Sequence, residues 1–565
     1  MHRPAIDTDV LIIGSGFAGL WAAIAAREAG AARVDMVDKA SIAMSSQSRM
    51  AAGATIYCLP GDDADLWLRD IVEAQGYLCR QDIVADMLAS SHARLRRLEG
   101  LGVRYAPSPN GAGYQRLPSR GFERVQMMVL PRFGKRVGGS AVVTALRQQA
   151  ARLRVGRHSR MLVTDLLVAG GRAAGAVAID RESAAPTVFR ARAVVLAAGD
   201  CSFRGNYVGT DAATGDAFRL AYDAGVRLAN MEFLCVNTGS PHYGFEGTGV
   251  ILRFGGRLLN AHREAFMARY HRAGDAAEIN FVTQAMAQEV RRGNGPPFFL
   301  DVSHSSRDVL RAIFDRLGGF MPLNLARLRE AGSDVFDLPQ EWLPAVQTLR
   351  GGVLTDRDCA SDLPGLFAAG MAQALDPGLF NGWSSMRAMW GGERAGRSAA
   401  AFVAGAGSVD LDRDAVGAAL ERAAAPLGRR EGPAPDEILE PLQTRLFPYE
   451  VCLLKEGGRL AAALGAVEDL HAAARGVRAE DGHELAKAHE TANMVRVAEM
   501  FLRASLARTE SRGDHFREDH PERNQREWLQ WVTLREGASG RMQLAGEPVP
   551  FDRYPLRPPA HEMAS

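Results

Sequence analysis

Gly14-Ser15-Gly16-Phe17-Ala18-Gly19 is the first stretch of this chain whose residue types and spacing can do chemistry. Glycines at this spacing leave a backbone path open to a pyrophosphate. Gly14 permits a tight turn, Gly16 lets the main chain approach the phosphates, and Gly19 lets a helix pack closely on its strand. The N–H groups at the start of that helix, with the positive end of its dipole, favour negative charge. Asp38 stands at the end of the next apolar run. There it can accept hydrogen bonds from an adenosine ribose, and it would repel a 2′-phosphate.

These residues need a frame. Val10-Leu11-Ile12-Ile13 is a short apolar run ending in glycine, which predicts a buried parallel strand. Residues 20–29 are alanine-rich and Gly30 closes them, which predicts a helix. Residues 33–37 predict a second strand ending at Asp38. A strand–turn–helix–strand unit is the context in which the glycine fingerprint carries weight, so a nucleotide-binding α/β domain is expected.

With 565 residues the chain has room for two or three domains. A formal net charge of +1 gives no general pull toward nucleic acid or acidic membranes. No run reaches the ~18 consecutive apolar residues of a membrane span. The first strand begins within ten residues of the start, and a cytoplasmic protein is expected. The six cysteines form no CxxC pair or ferredoxin-type run, so no metal site of the chain's own is expected. Buried, reduced thiols are the expectation.

Asp38-Lys39, followed by Ser45-Ser46-Gln47-Ser48-Arg49-Met50-Ala51-Ala52-Gly53, resembles the flavin-binding segment of the succinate dehydrogenase/fumarate reductase flavoprotein superfamily. L-aspartate oxidase and the alpha subunit of adenylylsulfate reductase belong to that superfamily. The resemblance continues through Ala193-Val194-Val195-Leu196-Ala197-Ala198-Gly199 and through Thr214-Gly215-Asp216 with Met231-Glu232-Phe233. It extends to Leu363-Pro364-Gly365-Leu366-Phe367-Ala368-Ala369-Gly370, to Gly382-Trp383-Ser384-Ser385, and to the charged signature at 508–523, where a structural ion-pair network is expected. Together these span residues 8–535. The resemblance implies a Rossmann-like FAD-binding domain in two parts, 1–236 and 345–405. An α+β capping domain is inserted at 237–344. A C-terminal helical domain at 406–535 and a Pro-rich tail at 536–565 complete the chain.

The same resemblance implies FAD as cofactor. The position joined covalently to flavin in respiratory members is Gln47 here, so noncovalent FAD is implied. The cofactor residues carried over are the turn residues Gly14, Gly16, Phe17, Ala18 and Gly19, then Asp38 and Lys39. Ser45, Ser46, Gln47, Ala52 and Gly53 follow, then Ala198, Gly199, Thr214 and Asp216. Gly370, Met371, Ser384 and Ser385 complete the set, with Met371 where other members place an acid. Trp383 stacks on the flavin or a planar substrate, or packs in the core. In local structure, one helical stretch is expected over 66–101, a helix over 140–151, and a small antiparallel sheet from 162–168, 174–180 and 188–190. The stretch 415–508 reads as helical, and the last residues show no periodicity.

The dicarboxylate-binding groups of fumarate reductases are missing. Asn237 and Gln347 stand where those enzymes have histidines, and Ile279 and Leu379 where they have arginines. Carboxylates buried without cations cost several kcal/mol each. Fumarate reduction, succinate oxidation and an aspartate oxidase activity are therefore not expected. Arg253, Arg257, Arg350 and His242, with Arg387, are the cations that could meet a different, anionic small substrate, with Gln347 beside them. The expectation is an FAD-dependent oxidoreductase passing hydride at flavin N5. A separate ferredoxin-like iron–sulfur protein, as in the adenylylsulfate reductase branch, is the implied electron partner. A flavin-binding scaffold within a larger redox complex, with catalysis lost, is the alternative.

Overall fold

The apolar run before the glycine turn forms strand β1 (Ile6–Ile13). The turn delivers the chain into helix α1 (Phe17–Glu28), and strand β2 (Val34–Asp38) follows. In this computed structural model, which describes residues 5–559 apart from 109, 243–250, 253–254, 309, 311–329, 331, 333–338, 379, 408–409 and 538, β1 pairs in parallel with β2 from Val10↔Val34 to Ile13↔Val37. The expected βαβ unit is present. Its tightness has a backbone cause: a Cβ on Gly19 would lie 1.9 Å from the Gly14 carbonyl oxygen, so only glycine fits there.

The sheet around this unit has seven strands. The others are β3 (Gly156–Ser159), β4 (Met161–Ala169), β5 (Arg172–Asp180), β6 (Pro186–Leu196) and β7 (Leu366–Ala368). They run in the order β3-β2-β1-β6-β5-β4, with β7 also on β6. The sequence suggested two separate pieces, a small antiparallel sheet and then a buried strand. The structure joins them through β6. One edge of β6 follows β1 from Ile6↔Phe189 to Ile13↔Leu196; its other edge takes β5 antiparallel and then β7 in parallel. Arg190 and Arg192 interrupt the apolar pattern and made the strand look broken. They reach outward to Asp7 and Asp9 of β1.

The expected helix over 66–101 is two helices, α2 (Ala64–Ala74) and α3 (Gln81–Gly100). The chain turns between them at Gly76 and Tyr77, both at positive φ. Gln75 stays buried at this break and clasps Gly378: Nε2 donates to its carbonyl at 3.1 Å, and Oε1 accepts its N–H at 2.7 Å. A two-stranded ribbon of Leu234–Gly239 and Leu343–Leu349 leads into and out of the 237–344 region. Within that region helix Ile279–Arg291 packs against the ribbon. The long helix α4 (Trp383–Gly405) crosses α1 closely: Cβ atoms on Gly392 and Gly396 would lie 2.3 and 2.2 Å from the Ala18 and Ala22 carbonyl oxygens.

The 415–508 stretch contains helices Arg413–Ala424, Pro435–Leu446, Gly457–Ala474 and α5 (Gly482–Ala507). The tail corrects the expectation of no regular element. Gln530–Glu536 pairs with Met542–Pro548, and the hairpin extends a sheet through Leu228–Ala229 and Gly352–Val353. Trp531, Val532 and Leu534 are buried, while Met542 and Leu544 pack partly over the same region.

The charged signature at 508–523 forms the expected ion-pair network. Arg508 is fully buried: Nε meets Glu232 at 2.7 Å, Nη1 meets Glu510 at 2.8 Å, and Nη2 donates to the Gln530 carbonyl at 2.7 Å. Arg512 also meets Glu510, at 2.7 Å. Removing one partner of such a network leaves an uncompensated buried charge. Arg508→Ala is therefore expected to lower stability by about 3–5 kcal/mol, read from urea unfolding; a loss below about 1 kcal/mol would contradict this reading of the network.

Candidate active site

Two cavities meet along the carboxyl end of the parallel strands. The smaller, of about 110 Å³, lies over the glycine turn and α1. The larger, of about 560 Å³, opens beneath Ile279–Arg291 and the start of α4. They share Phe17, Gln47, Ser48, Asp200, Met371 and Ala388, so they form one continuous groove.

Most residues expected at the cofactor lie on this groove. Gly14, Gly16, Phe17, Ala18, Asp38 and Lys39 line the smaller cavity, with Ser45, Ser46, Gln47, Ala198, Gly199 and Asp216. Ala52, Gly53, Ser384 and Ser385 line the larger, and Met371 borders both. Gly19, Thr214 and Gly370 stand behind the wall. Gly19 packs on the Gly14 carbonyl, and a Cβ on Gly370 would lie 2.8 Å from the Ala18 Cβ. Thr214 does not cap its helix; Oγ1 accepts from Lys39 Nζ at 2.5 Å and donates to Asp216 Oδ1 at 2.7 Å. The Lys39 ammonium is committed to Asp216 and Glu490, at 2.9 and 2.8 Å. Asp38 accepts from Ser15 N and Ala40 N at 2.8 Å each and from Ser15 Oγ at 2.5 Å. It thus braces the turn, with lone pairs left for a sugar hydroxyl.

The groove fits an elongated, anionic dinucleotide. Both α1 and α4 begin at it, at Gly16 and Gly382, without side-chain caps and without acids in their first turns. One N–H of α1, that of Phe17, donates to Ser48 Oγ at 3.0 Å. At α4 the Trp383 N–H donates to the Phe380 carbonyl at 3.2 Å; the N–H groups left free at the two helix starts favour phosphate and a negatively charged ring system. Gln47 reaches Asp200 Oδ1 with Nε2 at 3.2 Å and offers no nucleophile for a covalent link.

The expected cationic set does not converge on the larger cavity. Gln347 does line it, and accepts from Asn237 Nδ2 at 2.9 Å. Arg350 is fully buried behind the wall. It is paired with Asp376 and donates to Ser384 Oγ at 3.2 Å and to the Gly378 carbonyl at 3.0 Å. Arg387 shares Asp376 at 3.4 Å. Arg257 is half-exposed on Asp301 at 2.9 Å, and His242 is exposed on Glu341 at 2.7 Å; neither borders the cavity. Arg253 and Leu379 lie outside the described residues. Their placement has one physical cause: each described cation of this set has a carboxylate in its own part of the fold. Trp383 is also resolved in favour of core packing, fully buried with Nε1 donating to Asp376 at 2.8 Å.

Besides the exposed Glu73 and Glu278, two carboxylates on the larger cavity went unnoticed in the sequence. Asp200 follows Gly199, is buried, and accepts from Gln47 and from the Thr348 hydroxyl. Burial pushes its pKa up to about 6. Asp514 sits inside the charged signature, where a structural role hid it. Burial pushes it up to about 6 as well, against the opposing pull of Arg350 and Lys455, and its Oδ2 is buried with no hydrogen-bond partner. The only local signal is a glycine before each acid, which is too common to select them.

Comparison with known proteins gives a consistent assignment. The family described as FAD binding domain matches residues 9–384, and that described as fumarate reductase flavoprotein C-term matches residues 445–562. A fumarate reductase (CoM/CoB) subunit of Methanothermobacter marburgensis is 28% identical over 559 residues, covering 94% of this chain and 98% of its own. L-aspartate oxidase of Streptomyces coelicolor is 28% identical over 562 residues, covering 95% and 93%. Among solved structures, a quinol–fumarate reductase superposes with TM-score 0.86 at 23% identity, covering 97% of this chain and 99% of that one. Adenylylsulfate reductase from Archaeoglobus fulgidus gives TM-score 0.81 at 22% identity, covering 97% and 96%. At these identities the structural likeness speaks for the fold.

Asp200 makes a pH-dependent contribution. The folded protein keeps this proton up to about pH 6, whereas the unfolded chain releases it near the ordinary value of 3.8. Between those values the folded state binds more protons, so stability falls as pH rises and stays lower above pH 6. Asp200→Asn removes this loss. Its stability relative to the parent, measured by urea unfolding of FAD-free protein, should therefore improve by on the order of 1–3 kcal/mol between pH 4 and pH 7.5. An unchanged or opposite difference would contradict the burial of this carboxyl.

Proposed function

The chain belongs to the FAD-binding family of fumarate reductase and succinate dehydrogenase flavoproteins and is an FAD-dependent oxidoreductase, and from that premise we propose that it exchanges a hydride with a small substrate other than a four-carbon dicarboxylate in the larger cavity. The observation that carries this is the wall itself. Asn237 and Gln347 there form a neutral amide pair, and Ile279 beside them is apolar. Two carboxylates placed against these groups would lose their water without gaining a cation.

FAD is held without a covalent bond, since Gln47 has no group to form one. Bound FAD supplies a two-electron hydride donor or acceptor at N5. The protein's part is placement. The glycine turn and the start of α1 hold the phosphates, and Asp38 is placed for the ribose. The start of α4, uncapped at Gly382, would favour negative charge on a ring bound there. Helix Ile279–Arg291 covers the larger cavity and limits water at the reacting carbon. Among the described residues, the cations Arg257, His242, Arg350 and Arg387 are paired with Asp301, Glu341 and Asp376.

Electrons reach or leave the flavin through a separate ferredoxin-like protein. Support for this is the naming of relatives as subunits, such as the CoM/CoB fumarate reductase subunit of Methanothermobacter marburgensis. Six buried, unpaired cysteines suit a reducing compartment such as the cytoplasm. Among the described residues no helix is long and apolar enough to cross a membrane.

The test is direct. Purified protein should be yellow, and acid denaturation should release all of its FAD. Photoreduced protein mixed anaerobically with fumarate should reoxidise no faster than in buffer, while a reduced-ferredoxin or ferredoxin-acceptor assay should show electron exchange. Saturable formation of succinate would refute the substrate reading. Flavin that exchanges electrons with nothing offered would favour the scaffold alternative.

A further inference from the structure

We propose that Arg120 receives the carboxylate of a small organic acid in the larger cavity, with the body of that acid lying along Phe122 and Phe380. This rests on the reading above, that the cavity is where substrate meets the flavin.

The first observation is a buried charge without a counter-ion. Among the described residues the other buried arginines are Arg94, Arg350, Arg387, Arg508, Arg512 and Arg517, and each meets a carboxylate. Arg120 is 7% exposed and forms no ion pair with a described residue. Its Nε donates to the Ala277 carbonyl at 2.8 Å and its Nη2 to the Asp275 carbonyl at 3.2 Å. The nearby carboxylates, Glu278 and Asp275, act on it only through their fields. Asp200, also on the cavity wall, is engaged by Gln47 and Thr348 instead. Carbonyl oxygens satisfy donors without neutralising an ion, so this guanidinium costs free energy until an anion pairs with it.

The second observation is which part of the guanidinium is free. The two carbonyls take Nε and one N–H of Nη2. The N–H groups of Nη1 and the second N–H of Nη2 are left, and they form the planar end fork that matches a carboxylate. Arg120 lines the larger cavity. Its Nη1 has no hydrogen-bond partner among the described residues, yet it is not sealed from solvent as the unpaired Nη2 of Arg387 is.

The third observation is where the fold holds this cation. Residues 119–122 form a tight turn, with the Phe122 N–H donating to the Ser119 carbonyl at 3.0 Å and Gly121 at positive φ. Ser119 Oγ donates to the Asn381 carbonyl at 2.8 Å, next to the Gly382 start of α4. The guanidinium reaches the other way, to the residues just ahead of helix Ile279–Arg291. Arg120 is therefore fixed at the junction of the two walls that frame the cavity. Phe122, on the same turn, meets Phe380 edge to face at 4.8 Å, and Phe380 stacks on buried Trp383 at 5.0 Å. Both phenyl rings line the cavity and give a flat apolar body a fixed surface beside the cation.

Benzoate and benzamide, alike in shape and different in charge, test the proposal. Each is titrated at pH 7.5 into FAD-loaded protein and read by the flavin absorbance difference. Benzoate should perturb the flavin saturably, with a Kd at least tenfold below that of benzamide. Arg120→Met should weaken benzoate at least tenfold and leave benzamide within threefold. Arg120→Lys, which keeps the charge and loses the fork, should weaken benzoate at least threefold. A residue that only braces the turn would move both ligands alike. A preference below tenfold, no perturbation by benzoate, full benzoate affinity or equal weakening of both ligands in an FAD-loaded variant, or loss of FAD from both variants would overturn the inference. Unsubstituted protein that takes up no FAD would instead overturn the flavoprotein reading on which it rests.

Discussion

The site depends on places where two main chains touch with no side chain between them. Gly19 rests on the Gly14 carbonyl, and Gly392 and Gly396 of α4 rest on the Ala18 and Ala22 carbonyls of α1. These contacts set α1 against its own turn and α4 against α1. Because the contacts are backbone to backbone, there is no side chain to rearrange and little slack in the geometry. The starts of both helices are therefore pinned at the groove, which is what gives the groove its favourable field for a dinucleotide.

Around this frame, burial decides what charged groups can do. A buried charge is retained only with a partner. Asp376 gathers Arg350, Arg387 and the Trp383 indole behind the cavity; Asp216 and Glu490 hold Lys39 beneath the groove; Glu232 and Glu510 hold Arg508. The scaffold pairs Arg257, Arg350, Arg387 and His242, the described cations that the sequence offered as substrate ligands, with its own carboxylates. The larger cavity is lined by the Asn237–Gln347 amide pair, Phe122 and Phe380, the carboxyls of Asp200 and Asp514, and the Arg120 guanidinium, among others.

Several features were legible in residue order because their causes are local. The βαβ unit follows from an apolar run, spaced glycines and a terminal acid. The noncovalent cofactor follows from a single side chain, Gln47. The expectation of a substrate other than a dicarboxylate came from Asn237, Ile279 and Gln347, which carry no charge whichever way the chain folds around them. Other features were not legible because their causes are distant in sequence. Strand β6 looked broken at Arg190 and Arg192, whose partners lie more than 180 residues earlier in β1. The hairpin at 530–548 is a strand pair only because Leu228–Ala229 offers it an edge.

The sequence by itself pointed to a nucleotide-binding βαβ unit, because a phosphate cradle needs glycines at fixed spacing between a strand and a helix, and its resemblance to a flavoprotein superfamily implied that the nucleotide is FAD. Only the tertiary structure decided which charges reach the substrate. Whether an arginine is a ligand or a strut depends on the nearest carboxylate in space, and for Arg257 and Arg350 that partner is Asp301 and Asp376. By the same reasoning Asp200 and Asp514, unremarkable in the sequence, become carboxyls of the cavity wall, because folding places them there without a counter-ion in contact.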